Sequence, residues 1–433
     1  MSIVPFLFFT LLTVYWWRQH RGLDVCTYMS GMFAFTSLLS FLIVAFDQTQ
    51  GTGGSDSGGM LWAGWEPKLG FVPTAIYCIF IGVAIMPFSF IHVRDIKRIT
   101  VNAPWTLLGI SALLIGCSLV SFYCVADSTL DILSGDLAAV RTSSYLGEQT
   151  PADIKAEGLP FPLGYLTYLN FSTTLAMPIM FYNVCYGNKP WWWNTLLFFA
   201  SMTPIMVGIQ RVDRTEPVFF AIMLLFCIVF FRHAFSRRFR IIMRLGIFLL
   251  ALVGFAYIAT VSMARFDGSK NGDATTSVLQ YGGQNYLNFC YFWENASYDE
   301  VASEREFPLI NHFVSKIDSN ADRRGDRSAR QGFFISVFAS FIGDILLDLG
   351  PVGLTAWIVF YVLLTLEVIK WRRRTEYDIS EVLIIFLLAA VPLFGIFYYR
   401  YFQWMIAINY VVLIIFRLLS KYKFVYSKET DDK

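Results

Sequence analysis

Arginine dominates the side chains of this sequence that are equipped for chemistry. Arg323, Arg324, Arg327 and Arg330 fall within eight positions of the stretch SNADRRGDRSARQGFF. Arg211 and Arg214 sit three apart in QRVDRTEP, Arg141 lies in DLAAVRTSSYLG, and Arg265 and Arg400 stand singly. A guanidinium never loses its charge and grips two oxygens with a planar fork, so a set of arginines suits phosphate or pyrophosphate. Ser319 and Asp322 match a capping box, and a helix from about Asn320 would align Arg323, Arg327 and Arg330 on one face. The competing reading is local charge pairing in solvated loops. Asp213 and Glu216 alternate with Arg211 and Arg214, Asp318, Asp322 and Asp326 interleave the late cluster, and Asp136 and Glu148 flank Arg141.

Candidate bases are few. The chain has four histidines, and of these only His312, in PLINHFVSK, is expected on the same side of a membrane as the arginines. An imidazole of ordinary basicity can take a proton from a sugar hydroxyl. Glu216, Glu294, Asp299 and Glu306 are the acidic rivals. The stretch LQYGGQNYLNFCYFWEN, 279–295, offers Tyr281, Tyr286, Tyr291 and Trp293 to stack on sugar faces, and Gln284, Asn285 and Asn288 to bond hydroxyls. Aromatic residues at a membrane surface also serve as interfacial anchors, as KPWWWN at 189–194 is expected to do. No phosphate-binding glycine loop, dinucleotide fingerprint, HExxH or metal-spaced Cys/His set occurs, so no cofactor, metal or nucleic acid is expected. The seven cysteines form no disulfide framework, and Cys290 is expected alone in a loop.

The elements that must position these groups are apolar helices. Of 433 residues, 56% are hydrophobic and 15% charged, and the apolar ones come in runs long enough to cross a hydrocarbon core. The fold expected is an all-α polytopic membrane protein, a single integral domain over 1–433. Eleven spans are read, near 3–17, 25–46, 70–91, 104–125, 164–186, 191–209, 218–235, 243–263, 351–369, 379–397 and 403–419. The first lacks a basic leader and a cleavage site, so it reads as a retained span. With the N-terminus outside, twenty of the thirty-four Lys and Arg residues fall on the cytoplasmic side with the C-terminus. Six fall in short outer loops, and the rest lie in one long outer loop, 264–331. The apolar segment 333–350 carries Asp344 and Asp348, and counting it as a span would invert the charge bias. It reads instead as an interfacial or re-entrant helix ended by Gly350-Pro351.

Four pieces of the chain resemble the O-antigen polymerase (Wzy-type) family of oligosaccharide repeat-unit polymerases. They are DLAAVRTSSYLG (136–147), VGIQRVDRTEPVFF (207–220), QYGGQNYLNF in the long loop, and SVFASFIGDILLDLGPVGLTAWIVF. The last places Gly343, Asp348, Gly350 and Gly353 as a "G…DxGxxG" lead-in to a late span. No clean pair of RX10G-type repeats is present. The resemblance implies a glycosyltransferase of the bacterial inner membrane. It would pass a growing glycan from undecaprenyl pyrophosphate to a hydroxyl of the next lipid-linked repeat unit on the periplasmic face. A flippase and a chain-length regulator of the same pathway would be its partners. Arg141, Arg211, Arg214, Arg323, Arg327 and Arg330 would hold pyrophosphate, His312 or Glu216 would serve as base, and Tyr281, Gln284, Asn285, Tyr286 and Trp293 would face the glycan. An O-antigen ligase-type transferase and a lipid-linked oligosaccharide flippase remain as alternatives.

Overall fold

The computed structural model describes residues 1–46, 69–135, 140, 149–187, 189–213, 215–237, 239–241, 243, 246, 274–298, 331–333, 335, 337–402 and 404–421. Its helices are α1 (Ile3–Gln19), α2 (Val25–Ala45), α3 (Phe71–Ile85), α4 (Pro104–Ser134), α5 (Pro151–Glu157), α6 (Leu163–Leu166), α7 (Ala176–Cys185), α8 (Trp191–Ser201), α9 (Thr203–Gln210) and α10 (Thr215–Phe231). They continue as α11 (Ala274–Asn295), α12 (Ser340–Ile369), α13 (Ile379–Phe394) and α14 (Trp404–Lys421). Among the described residues, five segments are long and apolar enough to cross a membrane: Val25–Ala45, Phe71–Phe90, Pro104–Thr129, Trp191–Gln210 and Ser340–Ile369. Thr215–Phe231, Ile379–Phe394 and Ile406–Ser420 are shorter apolar helices. The outward surface is apolar, with Leu11, Phe35, Leu119, Phe360 and Ile414 exposed, while Ser30, Asn288, Asp344, Glu216 and Arg400 are buried. That inversion of the usual soluble pattern fits helices solvated by lipid, where backbone groups must be satisfied within each segment.

Several expected spans are more articulated than their hydropathy. The run 164–186 is three pieces, α6, a 3-10 stretch at Thr167–Leu175, and α7. The run 191–209 breaks at Met202, where Pro204 starts α9. α4 continues past the expected boundary to Ser134. The expected span 243–263 lies, apart from 243 and 246, outside the described residues.

Two expectations change. The segment 279–295 is not loop but the 22-residue helix α11, buried against α2, α3 and α12. Gly282-Gly283, a turn signal in isolation, serves close packing here: a Cβ on Gly283 would lie 2.6 Å from the backbone of Leu39 and Ser40. Cys290, expected in a loop, is fully buried in α11. Of the two readings of the segment before Gly350, interfacial or re-entrant, burial removes the first, because Ser340–Asp348 lies inside the bundle. Asp344 is tolerated there because its carboxylate accepts the Tyr399 N–H at 2.6 Å. The break after it stands where the sequence places it: Gly350 has φ 68° and ψ −178°, a conformation open in practice to glycine alone.

The helix ends gather at two poles. At one, His20 stacks on His92, and Gly22 meets Arg94 and Arg232. There β1 (Arg98–Thr100) pairs in parallel with β2 (Glu376–Asp378), in the register Ile99 to Tyr377. Asp378 and Glu381 form a capping box on α13, and Glu381 also receives Arg374 at 3.0 Å and Arg417 at 2.6 Å. At the other pole the start of α10, the start of α12 and the turn from α13 to α14 converge on Arg400.

Candidate functional site

The Arg400 pole is built by hydrogen bonds that fix one turn, 395–400. Phe341 N donates to Gly395 O at 2.8 Å, Ser340 N to Phe397 O at 3.0 Å, and Asn285 Nδ2 to Ile396 O at 2.8 Å. Ser340 adopts a positive φ of 63° to begin α12 there, a strained conformation held by its surroundings. With the Asp344 contact to Tyr399, two separate segments, the start of α12 and α11, hold the backbone that carries Arg400.

Arg400 then turns inward. Its Nη2 lies 2.6 Å from both carboxylate oxygens of Glu216, in the first turn of α10. Both side chains are almost fully buried, at 3% and 8% exposure. The guanidinium is surrounded by the rings of Phe219, Phe394 and Phe171, at 4.6, 5.0 and 5.4 Å. Gly208 makes room for the acid, since a Cβ there would lie 3.0 Å from Glu216 Cγ. A cavity of ≈ 10 Å³, the size of one water, lies against Arg400. Phe171, Thr174, Phe394 and Asn409 help line it, and among the described residues the buried Asn409 side-chain oxygen meets no hydrogen-bond partner.

Charged and polar groups surround this pair. Arg211, half-exposed, caps α9 and lies 3.7 Å from Asp153. Asp213 accepts the Thr215 N–H at 2.8 Å and so shapes the turn into α10. Gln210 is tied to α4 through Thr129 at 3.0 Å and Ser128 at 2.7 Å. Lys155 pairs with Asp127 at 2.7 Å. An aromatic run links the pole to α11: Tyr281 packs on Phe338 at 4.8 Å, Phe338 on Tyr398 at 5.9 Å, and Tyr398 on Phe219 at 5.6 Å.

Of the residues singled out in the sequence, the structure brings Glu216, Arg211 and Tyr281 to this pole. Asn285 reaches it as a structural tie to Ile396. Gln284 bonds Asn288 at 3.0 Å within α11. Tyr286 is spent on Thr74 at 2.7 Å and packs on Tyr77, and Trp293 packs on Phe289, so these two are engaged with α3 and with α11 itself and not with the Arg400 turn. Arg141, Arg214, His312, Arg323, Arg327 and Arg330 lie outside the described residues. Sequence reading grouped Arg400 with the outward arginines without giving it a role. Its signal was present in YYRYF, a single cation set among aromatics, facing a lone acid that opens the apolar helix TEPVFF.

A buried ion pair ringed by aromatics can do one thing a solvated pair cannot. It can exchange partners, since an incoming polyanion that takes the arginine leaves a carboxylate free in a poorly hydrated site. No family model, curated protein or solved structure matches the chain.

Proposed function

We propose that the chain is a membrane glycosyltransferase that polymerises repeat units carried on undecaprenyl pyrophosphate, with the Arg400 pole on the periplasmic face of the bacterial inner membrane. In this reading the helices make eleven crossings and the His20 pole faces the cytoplasm. The observation that carries the reading is the buried Glu216–Arg400 pair beside Arg211, at the pole where Tyr281 also lies. Arg400 and Arg211 would take the donor pyrophosphate, with Arg141, Arg214, Arg323, Arg327 and Arg330 as further cations from the flanking segments. Glu216, released from Arg400, would accept the proton of the attacking sugar hydroxyl, with His312 as the other candidate base. The bond from the anomeric carbon to pyrophosphate breaks as the new glycosidic bond forms. The leaving charge falls on the arginines, which count for more in a water-poor site than in solution. Lipid anchors hold both reactants in one plane and so reduce the orientation cost.

The test is polymer formation from purified lipid-linked repeat units in proteoliposomes. Arg400→Lys keeps the charge but loses the fork, and Glu216→Gln keeps the shape but loses the base. Each is expected to lower the rate by about 10²–10³, with the melting temperature recording that the protein remains folded. Wild-type rates in both folded variants would overturn the assignment. Transfer to a lipid A core or a protein, with no repeat-to-repeat product, would make the enzyme a ligase.

A further inference from the structure

The cavity beside Arg400 has a mixed lining. Four of the residues around it, Arg400, Asn409, Thr174 and Tyr401, carry polar side-chain groups, and the rest are apolar. They come from different elements. Asn409 belongs to α14, Thr174 to the 3-10 stretch Thr167–Leu175, and Arg400 and Tyr401 to the turn between α13 and α14. The space, ≈ 10 Å³, is about one water-sized probe, too small for a side chain or a polyatomic anion. The charges of Arg400 and Glu216 already offset each other, so nothing there recruits an ion.

Donors and acceptors around this space do not balance. Asn409 is 1% exposed, and among the described residues its Oδ1 accepts no hydrogen bond. A buried amide oxygen left unpaired forfeits its hydration for nothing in return. Arg400 has donors to spare. A guanidinium carries five N–H groups, and among the described residues both hydrogen bonds of Arg400 leave from Nη2. Thr174 Oγ1 gives its proton to Phe171 O at 2.9 Å, so toward any further partner it can only accept. A cavity lined only by apolar groups stays dry, whereas a buried water is held by about two to four polar partners. One donor and two acceptors border this one.

We propose that Asn409 is a positioning residue for Arg400 and acts through a single water molecule in this cavity. The water accepts from Arg400 and donates to Asn409 Oδ1, with Thr174 Oγ1 as its second acceptor. Such a bridge is nearly as favourable as a direct hydrogen bond. Glu216 then holds the guanidinium from α10, and Asn409 holds it from α14. When an incoming anion draws Arg400 away from Glu216, the guanidinium keeps one fixed point and turns about it. The bridge rests on the geometry alone. Its effect on rate rests on the glycosyl-transfer reading, and the two are tested apart.

The bridge is tested without substrate, on the full-length protein in detergent. Asn409→Leu keeps the volume and removes the acceptor. With the bridge in place this strands an Arg400 donor and lowers the melting temperature; with an unpaired amide beside a dry cavity it would raise it. In the Glu216→Leu/Arg400→Met background the same change is expected to be neutral or stabilising, because the donor is gone. Asn409→Asp, an acceptor of the same shape, is expected to restore wild-type melting. A cryo-EM reconstruction of wild type that shows ordered water should place one oxygen within hydrogen-bonding distance of both Arg400 and Asn409, and this needs no variant. A higher melting temperature for Asn409→Leu, an equal shift in both backgrounds, or ordered water elsewhere but none here would each overturn the proposal. In proteoliposomes Asn409→Leu should lower kcat about tenfold with KM little changed, and Asn409→Asp should recover it. A wild-type rate for folded Asn409→Leu would overturn the positioning role. The melting and density results are read whether or not wild type forms polymer.

Discussion

Arg400 and Glu216 stabilise each other as a pair, and each is a liability alone. Removing one partner leaves an uncompensated charge in an aromatic interior, which costs roughly 3–5 kcal/mol, whereas replacing both by apolar side chains is near neutral. Glu216→Leu and Arg400→Met are therefore each expected to lower the melting temperature sharply, and the double variant to recover most of the loss. A double-mutant cycle in detergent measures this, and simple additivity would contradict a coupled pair. At the opposite pole, His92 gives a pH signature. Its burial, the neighbouring His20 and Arg373 together hold the imidazole below the ordinary value of 6.5, against weaker pulls from Asp24 and Asp95. The unfolded chain then takes up this proton before the folded one does. Stability from neutral His92 is complete above about 6.5 and is lost as pH falls through that value toward the depressed one. Melting curves between about pH 8 and 5 should fall less steeply for His92→Asn than for wild type. Neither pairing was readable from the chain alone. Glu216 and Arg400 lie 184 residues apart, and no local rule connects them.

Helix α11 shows how an element was misjudged while its neighbours were not. Spans such as Val25–Ala45 and Pro104–Thr129 announce themselves by continuous apolar runs. α11 carries Gln284, Asn285 and Asn288 with a Gly-Gly pair, a composition that reads as loop. Its polar side chains are instead satisfied from the bundle, through Ile396 O, Phe338 O and one another, and its glycines admit the backbone of α2. Gly283→Ala should consequently be far more damaging than Gly282→Ala. The first meets the Leu39–Ser40 backbone, and the second meets the movable end of the Leu39 side chain. The expected penalty for the first is about 1–3 kcal/mol or more, read as folded yield by size-exclusion chromatography; equal yields would mean that α2 and α11 are not in this contact. The Gly350 break was legible because Gly-Pro is a strong local signal. The burial of the helix before it was not, since that depends on what Asp344 meets across the bundle.

Across the whole molecule, charge bias gives a direction that geometry alone does not. Lys97 and Phe161 are exposed at opposite poles, the first next to β1 and the second beyond α5, whose Lys155 pairs with Asp127 of α4. With the Arg400 pole outside, Phe161→Cys should react with an impermeant maleimide in spheroplasts, and Lys97→Cys only after permeabilisation. The reverse pattern would invert the topology and remove the proposed active site from the periplasm. The all-helical, apolar-surfaced character was readable from hydropathy; the small sheet was not, because each strand has three residues. That sheet has a consequence for how the protein is made. β1 is synthesised with the first third of the chain, but its partner strand emerges only after Thr375. The early helices must therefore wait in the bilayer, with the edge of the 98–100 segment open, until nearly the entire polypeptide has left the ribosome. A chain terminated before residue 376 should leave that edge accessible to membrane quality-control proteases, and pulse-chase degradation should quicken abruptly as truncations cross that point.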